Sequence, residues 1–178
     1  MNSTTDSIRA ACTAQATVAT PLGNVLLART ERGLAGLWFD GQKHHPGRLD
    51  APERADDPIL GAAAQWLRAY FAGDLTPLPV PLDLRGTAFQ QGVWQALLAI
   101  PAGSTCSYAQ IAASMGAAGA VRAAGGAIGR NPVSVIVPCH RVVGASGSLT
   151  GYAGGTDRKR SLLALEGAIR FDRSGAND

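Results

Sequence analysis

Cysteine is scarce in this 178-residue chain: there are three, Cys12, Cys106 and Cys139, odd in number and unevenly spaced. That argues against a disulfide framework and for a reducing compartment, so a cytoplasmic protein is expected. Charge is also thin, at 16% of residues, and no apolar run is long enough to span a bilayer. Residues 1–10 lack the apolar core of a signal peptide, and no membrane partner is expected. No cluster of cysteines and histidines has zinc-ligand spacing. His44 and His45 read as exposed loop histidines, so neither a metal nor a cofactor is expected. No internal repeat is evident, and no low-complexity segment beyond alanine and glycine richness. What remains is a 46% apolar, globular composition, long enough for one mid-sized domain or two small lobes. A net charge of +3 and a pI near 9.0 allow nucleic-acid contact, as they would any solvated basic surface.

The chain divides near residue 85. Before that point, residues 1–14 read as a frayed end. Val18–Thr20, Asn24–Ala28 and Leu34–Phe39 read as short strands, with hairpin turns at Pro21-Leu22-Gly23 and Glu31-Arg32-Gly33. Residues 40–56 read as a loop. Asp57-Pro58 pairs an N-cap with a first-turn proline. Ile59, Ala63, Trp66, Leu67, Tyr70 and Phe71 then recur at helical spacing up to Gly73, as a core-facing stripe. Leu75–Arg85 is proline-rich, an extended linker.

Beyond residue 85, capping boxes at Thr87 with Gln90 and at Ser107 with Gln110 each open a helix. The first carries Phe89, Val93, Trp94, Leu97 and Leu98; the second stops near Gly116. A third helix, from about Gly119 to Ile128, is nearly all alanine and glycine, with Arg122 its only charge. Helix, turn and small-residue helix make a helix-turn-helix layout. So bare a helix lacks the side chains that read base edges, and suits close approach and recognition of shape. Thr156 caps a last helix from Asp157 to Glu166, closed by Gly167, and residues from about 168 read as a disordered tail.

The chemistry gathers at Val135-Ile136-Val137-Pro138-Cys139-His140-Arg141-Val142-Val143. An apolar, β-branched run carries the chain inward, and Pro138 stops ladder pairing. A thiol is a nucleophile only as the thiolate, so a base and a cation beside Cys139 matter. Adjacent side chains on an extended segment point apart, so His140 need not touch Cys139 directly.

That string, with Asn131-Pro132 before it, the glycine-rich Gly144–Gly155 after it, and Ser107-Tyr108, Arg122 and Leu165-Glu166-Gly167, closely resembles the O6-alkylguanine-DNA alkyltransferases. The likeness runs from about Ala16 to Gly167. It implies an α/β (α+β) fold with a small N-terminal ribonuclease-H-like antiparallel sheet lobe (1–85 with the linker). The other lobe it implies is C-terminal, helical and built on the helix-turn-helix (86–178). It implies stoichiometric transfer of the alkyl group from O6-alkylguanine, and from O4-alkylthymine, in double-stranded DNA to Cys139. Each molecule then acts once, as a monomer and without a cofactor, with cooperativity along DNA left open.

By the same resemblance His140 is the general base, acting on Cys139 through a water, and Glu166 orients its imidazole. Tyr108 donates a proton toward guanine N3, and Asn131 braces the turn between recognition helix and active site. The target nucleotide is flipped out and Arg122 fills the gap, with Ala123, Gly125 and Arg141 completing the DNA-binding set. Val142, Tyr152, Ala153 and Gly154 shape the pocket. Departures are small: Ala124 stands where the family often has valine, and Cys106 is a second thiol without an adjacent base. Two other readings stand beside this one. A non-catalytic alkyltransferase-like protein that flags lesions would lack the acceptor cysteine. An unrelated thiol hydrolase would need an oxyanion hole and protease signatures absent from this sequence.

Overall fold

A computed structural model describes residues 3–170; of the expected disordered tail, residues 171–178 lie outside the described residues. β1 (Ala14–Thr20), β2 (Gly23–Thr30) and β3 (Gly33–Phe39) form an antiparallel sheet in the order β1-β2-β3. Every residue of β3 is buried although it ends the sheet, because other segments cover its free edge. Leu34 bridges to Leu82, and Leu37 bridges to Val133. An unpaired strand edge needs such partners. Gly33 is required at this seam: at φ 155° a Cβ on it would lie 2.4 Å from the Pro81 carbonyl oxygen.

Residues 75–85 are therefore not a free linker. Leu34 N–H donates to Pro81 O at 2.9 Å and Asp83 N–H donates to Leu34 O at 2.8 Å. Asp83 also accepts from Thr30 and Arg85. Within the segment expected to fray, the described residues from Ser3 onward differ from expectation too. Ser3–Ala11 is a helix, α1, whose Ile8 packs with Ala28, Trp38 and Leu49, and Thr4 donates to Gln90 Oε1 at 3.0 Å. A helix this short is marginal alone, so its packing, invisible in a polar segment, is what orders it.

α2 (Pro58–Phe71) starts as expected, with Asp57 Oδ1 accepting from Ile59 and Leu60 N–H at 2.9 and 3.1 Å. It buries Leu60, Ala63, Leu67 and Tyr70 against the sheet, while Trp66 and Phe71 stay half-buried. Both capping boxes form, opening α3 (Ala88–Leu98) and α4 (Tyr108–Ser114). A 3-10 turn at Ala118–Ala120 precedes α5 (Val121–Gly129), so the regular helix begins slightly later than expected. Trp94 Nε1 donates to Ala127 O at 2.9 Å, locking α5 onto α3. Thr156 is the first residue of α6 (Thr156–Leu165) and not its cap. Gly155, at φ 90°, precedes the helix with no side-chain cap bond. β4 (Cys106–Ser107) pairs in parallel with β5 (Val142–Val143). One apolar core runs through both lobes, from Val25 and Leu37 through Tyr70 to Trp94, Ile128 and Leu162.

Candidate active site

The reactive segment hangs from the sheet. Leu37 N–H donates to Pro132 O at 2.9 Å and Ser134 N–H returns a bond to Leu37 O at 3.0 Å. Beyond Ser134 the chain does not continue as the β-like run that its composition suggests. Val135 sits at φ 70°, a left-handed conformation costing a β-branched residue about 1–3 kcal/mol. Successive tight turns follow, with Val137 N–H donating to Val133 O at 2.9 Å. Asn131 holds this shape together. Its Oδ1 accepts from Val133 N–H at 2.9 Å, and its Nδ2 donates to Val137 O at 2.7 Å and to Cys139 Sγ at 3.1 Å. Cys139–Arg141 then form a single 3-10 turn, so the divergence of neighbours on an extended strand does not apply.

His140 is fully buried, with Nε2 2.8 Å from Glu166 Oε1. The opposing effects on Glu166 have a clear winner. Burial alone would raise its pKa, but hydrogen bonds from Arg141, His140 and Tyr70 hold it well below the usual carboxylate range. An anionic Glu166 requires the proton on Nε2, which leaves a lone pair on Nδ1, a buried atom with no protein partner. Burial also lowers the His140 pKa despite the carboxylate, keeping the ring neutral. The Cys139 thiol is pushed up to about 11 by burial, which the Asn131 hydrogen bond and the Lys159 charge only partly offset.

The pocket wall is tied by one carbonyl. Thr150 O accepts from Tyr108 OH at 3.0 Å and from Lys159 Nζ at 2.9 Å, and Lys159 also donates to Val142 O. Lys159 is fully buried and burial lowers its pKa to about 8. Tyr152 and Gly154 are buried and Ala153 is half-buried. A Cβ on Gly154 would lie 2.5 Å from the Tyr152 ring, and one on Gly151, at φ 76°, would lie 2.7 Å from Tyr108 OH. Glycine is what lets this loop approach both tyrosines.

Cys139, His140, Glu166 and Asn131 thus lie together, with Tyr108, Val142 and Tyr152 around them. Arg122 and Ala123 are exposed on α5, and Gly125 is half-buried with the Tyr108 ring 3.7 Å from where its Cβ would stand. Arg141, expected on the DNA side, is engaged inside the protein. It donates to both Glu166 oxygens at 2.8 Å and to Ile100 O, because a buried carboxylate needs a paired cation. Two participants were missed in the sequence. Tyr70 OH donates to Glu166 Oε1 at 2.7 Å across the two lobes, and nothing local marks it apart from its apolar neighbours. Lys159 lies among the charged residues Asp157, Arg158 and Arg160. Its spacing from Leu162 and Leu163, on the buried face of α6, was the available signal. Among the described residues no group of three or more His, Cys, Asp or Glu could hold a metal ion. None of the described helices is long and apolar enough to cross a membrane.

A two-lobed fold carrying a helix-turn-helix and, beneath it, a buried thiol backed by an imidazole–carboxylate pair defines a class: nucleic-acid-binding proteins that react through a cysteine. Residues 88–168 match the 6-O-methylguanine DNA methyltransferase DNA binding domain, and residues 14–84 match the ribonuclease-like domain of the same family. The chain belongs to that family. It is 52% identical over 150 residues to the methylated-DNA–protein-cysteine methyltransferase of Mycobacterium bovis, covering 84% of this chain and 90% of that one. With the constitutive enzyme of the same description from Bacillus subtilis it shares 43% over 157 residues, covering 84% and 93%. Among solved structures, Mycobacterium tuberculosis OGT in complex with DNA superposes with a TM-score of 0.80 at 50% identity, covering 87% of this chain and 93% of that one.

Proposed function

We propose that Cys139 accepts the alkyl group in a single-use repair of O6-alkylguanine, and of O4-alkylthymine, in duplex DNA. As a member of its family the chain repairs DNA by methyl transfer to a cysteine. One arrangement supports the choice of residue: a buried thiol gripped by Asn131 stands in the same turn as His140, which is anchored to Glu166. His140 Nδ1 takes the thiol proton through a water, and Glu166 stabilises the imidazolium. The sulfur attacks the alkyl carbon and the bond from that carbon to O6 breaks. Tyr108 leaves Thr150 O to protonate guanine N3, and the proton held by the His140 imidazolium then returns through water to the Tyr108 phenolate, so that, net, the thiol proton ends on the departing base. Water does not cleave the thioether product, so each molecule acts once.

A base stacked in a duplex cannot reach a buried sulfur, so the nucleotide is flipped out and exposed Arg122 fills the gap. Ala123 and Gly125 keep α5 thin enough to approach the groove, while Val142, Tyr152, Ala153 and Gly154 enclose the base. The protein acts as a monomer in the cytoplasm, a compartment that fits three free cysteines. A lesion-flagging binder is not favoured, since it would lack the acceptor that is present here.

Intact-protein mass after incubation with duplex DNA carrying 6-O-methylguanine is the test. The wild type gains one methyl group, mapping to Cys139; Cys139→Ser gains none while still binding DNA. A methyl group persisting in the variant, or mapping to Cys12 or Cys106, makes another thiol the acceptor.

A further inference from the structure

The loop at residues 40–47 belongs to the N-terminal lobe, yet it is fastened to the face that carries the active site. Buried Gln42 accepts through Oε1 from Phe39 N–H at 2.8 Å and from Ser134 Oγ at 3.2 Å. Lys43 N–H donates to the Ala153 carbonyl, in the pocket wall, at 2.9 Å. The loop is thereby set where α5 gives way to the cysteine turn. Arg130 stands at that junction, as the C-terminal cap of α5 and the residue before Asn131. Lys43 and Arg130 are both exposed, and neither makes a salt bridge among the described residues. Arg130 uses one N–H internally, to Gly126 O at 3.1 Å.

His44 joins these two cations from a left-handed backbone at φ 62°. Burial lowers its pKa first, and Arg130 and Lys43 then lower it further, with no acid opposing them. Asp40, in the same loop, acts on His45. An ammonium, a guanidinium and an imidazole N–H, drawn from two lobes and left without a carboxylate, are the donor set that a phosphate takes. Along α5 the cluster lies about 12 Å from Arg122, at 1.5 Å per residue.

We propose that Lys43, His44 and Arg130 form a clamp for a DNA backbone phosphate near the extruded nucleotide, giving the N-terminal lobe a direct share in DNA binding. The inference rests on the DNA-repair reading above. Contacts to phosphate add affinity without sequence preference, as a protein that inspects any sequence requires.

The test is binding of lesion-free duplex DNA across a salt series, for the wild type and for the Lys43→Gln/Arg130→Gln double variant. An Arg54→Gln/Arg68→Gln control removes the same charge from exposed positions elsewhere on the N-terminal lobe. The clamp variant is expected to lose roughly ten-fold in affinity at low salt, and its log–log salt slope to fall by about one, while the control keeps the wild-type slope. Unchanged slopes in all three proteins overturn the clamp. An equal fall in both double variants also overturns it, because net charge alone then accounts for the effect. Reaction of the wild type with free O6-benzylguanine, read by intact mass, tests the repair reading separately. No adduct sinks that reading; a normal adduct with unaltered salt slopes sinks the clamp alone.

Discussion

Cys139, the proposed nucleophile, is guarded. With a thiol pKa of about 11, set mainly by burial, only about one molecule in ten thousand holds a thiolate at neutral pH. A protein that can react once gains from keeping its sulfur protonated until a substrate is seated. Below that pKa, alkylation of Cys139 by a small probe should rise about ten-fold per pH unit. Lys159 is the buried cation that moderates the guard, and it keeps its own charge up to about pH 8. Lys159→Met should raise the apparent thiol pKa and slow probe alkylation at neutral pH, since a nearby positive charge favours the anion. If the pH profile of the variant overlies that of the wild type, Lys159 is only a strut between Val142 and Thr150. The loss of a strut alone would lower the melting temperature without moving the profile.

Among the elements, α5 carries the most of the proposed function on the fewest side chains. Its alanines and glycines pack under Trp94 and Tyr108 on one side, and leave Arg122 exposed on another. Filling the stack vacated by a flipped base offsets an unstacking cost of a few kcal/mol. Arg122→Ala should therefore slow repair of duplex DNA strongly, while reaction with free O6-benzylguanine, which needs no flipping, is much less affected. Single-turnover rates on both substrates decide the matter. Equal slowing would return Arg122 to a structural role. Loss of duplex affinity with a shallower salt slope would instead mark it as a phosphate contact.

For the molecule as a whole, the N-terminal lobe belongs to the reactive apparatus. β3 holds the cysteine turn through Pro132 and Ser134, and Tyr70 reaches Glu166 from α2. Glu166 is the polar pin between the lobes, with His140, Arg141 and Tyr70 all bonded to it. Its folded-state pKa is depressed, so the stability it contributes is complete above the ordinary carboxylate pKa and is lost as pH falls below that value. Glu166→Gln leaves Arg141 without its counter-charge and should cost about 3–5 kcal/mol at neutral pH. Melting temperatures measured from pH 7 downward should show the gap between wild type and variant narrowing below about pH 4.5. Parallel curves would mean that Glu166 does not carry the acid sensitivity.

What the sequence determined by itself is everything written in local code. The hairpins, the Asp57-Pro58 helix start, both capping boxes and the Pro138-Cys139-His140-Arg141 motif depend on residues a few positions apart, and their spacing survives without a fold. Tertiary structure decided the rest. The order in α1 comes from Ile8 meeting Trp38, and residues 75–85 act as an edge cover because β3 would otherwise expose its backbone. Arg141 turns inward because Glu166, distant in sequence, arrives beside it, and Tyr70 and Lys159 become site residues only where separate segments converge. Burial and long-range pairing set those roles, and neither is written in any one stretch of chain.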